Sequence, residues 1–163
     1  MGSIFISYRR TGSAGYGGRL DYDLRRHFGS TAVFRDIDGI LPGRPFAEII
    51  EQAVAESSVV LVLITGEWLD VTDAEGRRRL DQPDDFVRRE IESALNSGVP
   101  LIPVLVDGAK VPSAQDLPPS IRRLGELQGI ELTDGRWEFD LGRLIRALEV
   151  HVGPVEQATA PTI

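Results

Sequence analysis

Residues Val59 to Ile64 read VVLVLI, six aliphatic residues in succession with no polar alternation. A strand of this kind has to be covered on both faces, and sheets covered on both faces are mostly parallel, with helices as the cover. Val99 to Val106 (VPLIPVLV) has the same character, and Ile4 to Tyr8 (IFISY) opens the chain with a third run. Ala32 to Arg35 and Leu127 to Leu132 are shorter and weaker. Helical patterns fill the intervals. Gly15 to Phe28 is followed by Gly29, a residue suited to ending a helix. Pro45 to Glu56 starts with proline at a first helical position, and Phe46, Ile49, Ile50, Ala53 and Val54 recur at helical spacing. Asp84 to Asn96 has an acidic first turn and Gly98 behind it. Pro118 to Leu124 reads as a short helix. Phe139 to Val150 carries Leu141, Leu144, Ile145 and Leu148 as an apolar stripe.

Strand and helix therefore alternate along the chain, which predicts an α/β domain. The expected architecture is a flavodoxin-like three-layer sandwich: a five-stranded parallel sheet of order 2-1-3-4-5 with helices on both faces. Ligands of such folds sit at the carboxyl ends of the strands, near the switch between strands 1 and 3. That directs attention to the segments after Tyr8, Arg35 and Ile64. A chain of 163 residues suits one domain. The domain is expected over 1–150, with 151–163 as a polar linker or tail.

The formal net charge of −7 argues against nucleic acid or an anionic membrane as partner, since both attract a basic face. There is no cysteine, and two histidines, His27 and His151, are too few for a histidine-rich metal site. No apolar run approaches the roughly 18 residues of a membrane span, and the start lacks a signal-peptide pattern. A cytoplasmic location and a site without metal are the expectations.

Familiar nucleotide chemistry does not fit. The sequence has no GxxxxGK[ST]. The glycines Gly12, Gly15, Gly17 and Gly18 fail GxGxxG, because from Gly15 the last position is Leu20; a flexible helix start is the better reading. A phosphate-accepting receiver needs carboxylates after strands 1 and 3, where this chain has Tyr8-Arg9-Arg10 and Thr65. GxSxG is absent, and neither histidine follows a strand.

The segment from Asp84 to Asn96 holds the strongest signal. At about 100° per residue, Phe86, Val87, Ile91, Ala94 and Leu95 fill one side of a helix. Glu90 falls within that arc, and its neighbours three and four positions away offer no cation. A glutamate there is costly unless it is partnered or serves a function. A boundary glutamate reaching solvent or a distant arginine is the plain alternative. Tyr8-Arg9-Arg10 has one too, a solvated strand exit; Trp68 and Phe86 could be core. Asp36 to Arg44 (DIDGILPGR) is a glycine- and proline-bearing loop whose apolar Ile40 and Leu41 suit a contact surface.

At these residues the chain resembles a TIR domain of bacterial type, over roughly residues 3 to 150. FISYRR resembles the first family motif, and FRDIDGILPGRPF the second strand with its BB loop. SSVVLVLITGEWL resembles the third strand and its exit, and DFVRREIESAL the helix with the catalytic glutamate. VPLIPVLVDGA and FDLGRLIRALE match the later elements. The resemblance implies one of two functions. One is cleavage of the nicotinamide–ribose bond of NAD+, giving ADP-ribose or a cyclic isomer. The other is non-catalytic scaffolding through homotypic assembly. In the first, Glu90 is the catalytic carboxylate. Ser7, Tyr8, Arg9, Arg10, Asp36, Trp68 and Phe86 are the substrate-binding set. Arg9 and Arg10 are expected to hold the pyrophosphate, and Phe86 and Trp68 to stack on a ring. Phe86 stands where the family commonly has tryptophan; it keeps a stacking face and loses the indole N–H. Asp38, Ile40, Leu41, Pro42 and Gly43 of the BB loop are the implied assembly contact. NAD+ is then substrate and no cofactor is needed. A bacterial defence role follows, with a sensing domain expected after the tail.

Overall fold

In a computed structural model, residues 2–35, 43 and 45–154 are described. Five strands, β1 (Ile4–Ser7), β2 (Val33–Arg35), β3 (Val59–Ile64), β4 (Leu101–Val106) and β5 (Ile130–Leu132), form one sheet of order β2-β1-β3-β4-β5. Every neighbouring pair is parallel. The flavodoxin-like α/β order expected from the alternation is the one observed. The helices are α1 (Arg10–Phe28), α2 (Phe46–Ala55), α3 (Phe86–Ser97) and α4 (Trp137–Val152).

The unalternating strand runs are explained by two cores. Side chains along a strand point to opposite faces in turn. Val59, Leu61 and Leu63 join Ile4, Ile6, Val104 and Val106 beneath α1 and α4, against Leu20, Leu24, Leu144 and Leu148. Val60, Val62 and Ile64 join Phe5 beneath α2 and α3, against Ile50, Val54, Val87, Ile91 and Ala94. VVLVLI is thus two interleaved apolar faces, each with its own pair of helices. Ser7 follows Phe5 by two residues and pairs with Val62 in the sheet register, so it shares the α2–α3 face. Tyr8 belongs to the opposite core.

Several boundaries differ from expectation: β4, β5 and α3 begin two or three residues later than their sequence patterns, and four further differences bear on the fold. Helix α1 begins at Arg10, five residues before Gly15. The glycine-rich stretch is helix, and Gly17 is there for closeness: a Cβ at that position would lie 2.8 Å from the Tyr8 ring. Helix α4 begins at Trp137, after a 3-10 turn at Asp134–Arg136. The Asp140 carboxylate in its first turn accepts hydrogen bonds from the backbone N–H and hydroxyl of Thr133, which hold it below the usual carboxylate range. The same helix runs to Val152, two residues past the expected domain edge. The short helix expected at Pro118 to Leu124 is a 3-10 segment, Pro119–Glu126, broken at Ile121. Among the described residues no helix is long and apolar enough to cross a membrane.

The connection from β3 to α3 is more ordered than its polar sequence suggests. Asp73 accepts from the backbone N–H of Glu75 and of Arg77, and Thr72 bridges Arg78 antiparallel. A 3-10 turn, Arg79–Asp81, follows, and Leu80 anchors it in the α2–α3 core. This small hairpin stands beside the start of α3.

Candidate active site

Helix α3 starts because Asp85 caps it, accepting a hydrogen bond from the Arg88 backbone N–H at 3.1 Å. It ends at Gly98, whose φ of 71° is the left-handed conformation that glycine adopts without strain. Between these caps the buried residues are Val87, Glu90, Ile91, Ser93 and Ala94. Glu90 thus lies within the apolar face, only 6% exposed. Among the described residues its Oε2 is buried without a hydrogen-bond partner. Burial pushes its pKa from an ordinary 4.5 up to about 8. Ser7 is close enough to favour the charged form, although no hydrogen bond of standard geometry joins them. The Asp85 charge adds to the upward push, and the Arg9 charge opposes it. In the free protein near neutral pH the carboxyl group therefore holds its proton.

Arg9 is buried. Its Nη1 donates to Asp85 Oδ1 and its Nη2 to Asp85 Oδ2, both at 2.8 Å. The guanidinium expected to hold a pyrophosphate pairs at both terminal nitrogens with an internal carboxylate. Arg10, next in sequence, is exposed at the start of α1. Tyr8 packs over Gly17 on the far side of the sheet from Glu90, so its ring does not reach the carboxylate. Trp68 is 1% exposed within the α2–α3 core. The stacking role expected of it does not fit this position, because neither face of a ring enclosed in the core can receive a ligand. Phe86 is 53% exposed, one helical turn before Glu90 and on the same side. It walls a cleft of about 250 Å³ with Asp73, Arg77, Arg79, Gln82, Asp84 and Asp85. A larger groove of about 410 Å³ lies between α1 and α4, across the sheet from Glu90 and far from this chemistry.

The family model for the TIR domain matches residues 4–145. This chain belongs to the TIR domain family. Among solved structures its fold is similar to the TIR domains of the activated Roq1 resistosome, which directly recognizes the pathogen effector XopQ. The two share 12% identity at a TM-score of 0.64, over 91% of this chain and 99% of that one. A metazoan TIR-STING receptor from C. gigas in complex with 2′,3′-cGAMP is 22% identical at a TM-score of 0.49. That match spans 87% of this chain and 39% of the receptor chain.

In this TIR domain, then, Ser7 and Glu90 are brought together, with Arg9 beside them through Asp85 and Phe86 at the rim. Tyr8 and Trp68 are not brought to the same surface. Asp36, Asp38, Ile40, Leu41 and Pro42 lie outside the described residues. Gly43 is described, with φ of 85°. The sequence reading missed Asp85, although a signal was available. An aspartate directly before an apolar helical pattern is a cap candidate, and two adjacent arginines at a buried strand exit need an acid somewhere. Arg79 and Gln82, which line the cleft beside Phe86, were not singled out because the hairpin and 3-10 turn before α3 have no apolar periodicity to announce them.

Proposed function

We propose that this TIR domain cleaves the nicotinamide–ribose bond of NAD+, with Glu90 as the catalytic carboxylate. The single observation that carries the reading is a buried carboxylate whose Oε2 has, among the described residues, no hydrogen-bond partner, on the helix that packs beside the carboxyl end of β1, where this topology binds ligands. Such a group lowers stability, and its retention calls for a use.

The chemistry asks little acid catalysis. Nicotinamide is bound as a cationic pyridinium and leaves neutral, taking the electron pair of the C1′–N bond. Positive charge then develops on the ribose ring. A carboxylate beside that ring, in a site poor in water, stabilises the charge more than it would in solvent. The Glu90 proton has to leave first, and the positive charge of the bound substrate favours its departure. Water adding to C1′ gives ADP-ribose and releases one proton; a nucleophile within the same substrate gives a cyclic product. Phe86 offers an exposed aromatic face one turn from the carboxylate. We further propose that self-assembly through the BB loop activates the domain, and that NAD+ depletion in the cytoplasm is its signal in defence or cell death.

One observation favours a second reading, a non-catalytic scaffold that signals by homotypic assembly. Glu90 is nearly covered in the single protomer. The deciding experiment measures NAD+ consumption by the concentrated or artificially clustered domain beside Glu90→Ala, with products separated chromatographically. Turnover by the parent and none by the variant supports the enzyme. Absence of turnover in both, with assembly verified, favours the scaffold.

A further inference from the structure

Helix α1 opens with arginines at its N-cap and first position and no acidic residue in its first turn. Positive charge at a helix N-terminus has the wrong sign for the helix dipole. The helix itself gives no reason for Arg9, so the reason must lie across the fold. There it meets Asp85, which does two jobs. Asp85 caps α3 through the Arg88 backbone N–H, and both its oxygens accept from the Arg9 guanidinium. The two side chains are 4% and 7% exposed. The contact joins the N-cap residue of α1 to the N-cap residue of α3. Ser7 lies two residues before one partner, and Glu90 five residues after the other. The pair therefore fixes the exit of β1 against the first turn of the helix that presents the carboxylate.

Resting on the NAD+-cleavage reading above, we propose that Arg9 and Asp85 are a positioning pair: they set the separation and orientation of the β1 exit and the Glu90 helix, and Arg9 does not serve as a phosphate ligand. Bidentate pairing of a planar guanidinium with a carboxylate fixes orientation as well as distance, which a lysine ammonium cannot reproduce. An arginine enclosed to this degree, with both terminal nitrogens turned on an internal carboxylate, presents no fork to an incoming anion. Displacement of a reacting group by about 1 Å can cost roughly 100-fold in rate. A pair that holds Glu90 should therefore act on the chemical step.

The test uses variants that keep the fold. Arg9→Lys retains the charge and loses the fork. Asp85→Asn retains an oxygen that can cap α3 and loses the ion pair. The double variant Arg9→Met with Asp85→Asn removes both charges of the pair at once, and so remains informative if a single variant folds poorly. Positioning predicts that kcat falls roughly 10- to 100-fold in each single variant while KM changes less than about threefold. It also predicts that the double variant is no worse than the poorer single one. The proposal is overturned if Arg9→Lys raises KM with kcat intact while Asp85→Asn resembles the parent, which is the behaviour of a substrate ligand. Additive losses overturn it as well. If the parent itself shows no turnover, it is the NAD+-cleavage reading that fails. The pair is then judged by amide hydrogen exchange: Arg9→Lys should accelerate exchange in the first turn of α3 at least tenfold, with the rest of the helix unchanged. Unaltered exchange there would remove the positioning role.

Discussion

Replacing Glu90 with glutamine should change how stability depends on pH, by an amount that follows from the burial of the carboxyl group. In the unfolded chain the group ionises near its ordinary 4.5, whereas in the folded domain it keeps its proton up to about 8. Unfolding between these values releases a proton. The unfolded state binds fewer protons than the folded one, so stability falls as pH rises. The contribution is fully present below 4.5, is lost progressively through the window, and stops changing above about 8. At about 1.4 kcal/mol per pH unit the whole window is worth on the order of 4–5 kcal/mol. The amide that replaces the carboxyl group in Glu90→Gln has no proton to lose, so the pH dependence of that variant lacks this component.

The isoelectric point near 4.9 makes the acid half of the window poor for solubility, and pH 6 to 8 is the practical range. Over that interval the parent should lose about 2 kcal/mol relative to Glu90→Gln. For a domain of this length that is a relative shift in melting temperature of roughly 5–8 °C. Urea unfolding at physiological ionic strength, at half-unit steps of pH, measures it. His27 and His151 are common to both proteins and cancel in the difference, as does any constant cost of placing an amide in the site. Parallel curves for the two proteins across pH 6 to 8 would refute the argument. The carboxyl group would then be ionised in the folded state and supported by a partner.

Three further outcomes follow from the same geometry. The kcat/KM of NAD+ cleavage should rise nearly tenfold per unit of pH below about 8 and level above it, because Glu90 must lose its proton in the free domain; a pH–rate profile that stays flat from 6 to 9 counts against Glu90 as the reacting carboxylate. Phe86→Ala should cost less than about 1 kcal/mol of stability, since the ring is half exposed, yet lower turnover at least tenfold, and Phe86→Trp should retain activity; equal turnover in all three proteins would dismiss the ring as a substrate contact. Turnover per protomer should climb with concentration, and full activity at nanomolar concentration from a species that light scattering finds monomeric would dismiss assembly as the trigger.

How far the sequence could be read depended on whether a residue's role is recorded in its own neighbourhood. Val59 to Ile64 announced a doubly covered strand, because each face of the sheet needed its own apolar set. Glu90 announced itself as well, since the spacing of Phe86, Val87, Ile91 and Ala94 places it on the buried arc of α3. Arg9 did not. Its partner lies 76 residues away, and no periodicity reports a pairing across the fold. Trp68 was left between two readings for a related reason. An aromatic residue after a strand is compatible with a ligand surface or with a core, and only the return of α3 over β3 decides between them. The start of α1 was lost because glycine lowers helix propensity, and the close approach of Gly17 to Tyr8 is a tertiary fact.

The features that break local rules are not scattered. Most of this domain obeys them: strands alternate between two cores, α3 has a side-chain cap and a left-handed glycine stop, and apolar faces meet apolar faces. The departures gather where β1 and β3 end and α3 begins. Among the described residues, the buried side-chain atoms without a hydrogen-bond partner include Ser7 Oγ, Trp68 Nε1, Arg88 Nε and Glu90 Oε2, and these four lie there. The buried Arg9–Asp85 pair is in the same corner, joining two helix starts, one of which it suits poorly. Each departure lowers stability and could be relieved by common substitutions: glutamine for Glu90, an apolar residue for Ser7, neutral residues for Arg9 and Asp85 together. A domain under selection for folding alone would drift toward those replacements. Their absence from one corner, which is also the ligand-binding end of this sheet, is a stronger argument for chemistry than Glu90 taken singly. It implies that relieving them should stabilise the fold and abolish the function together.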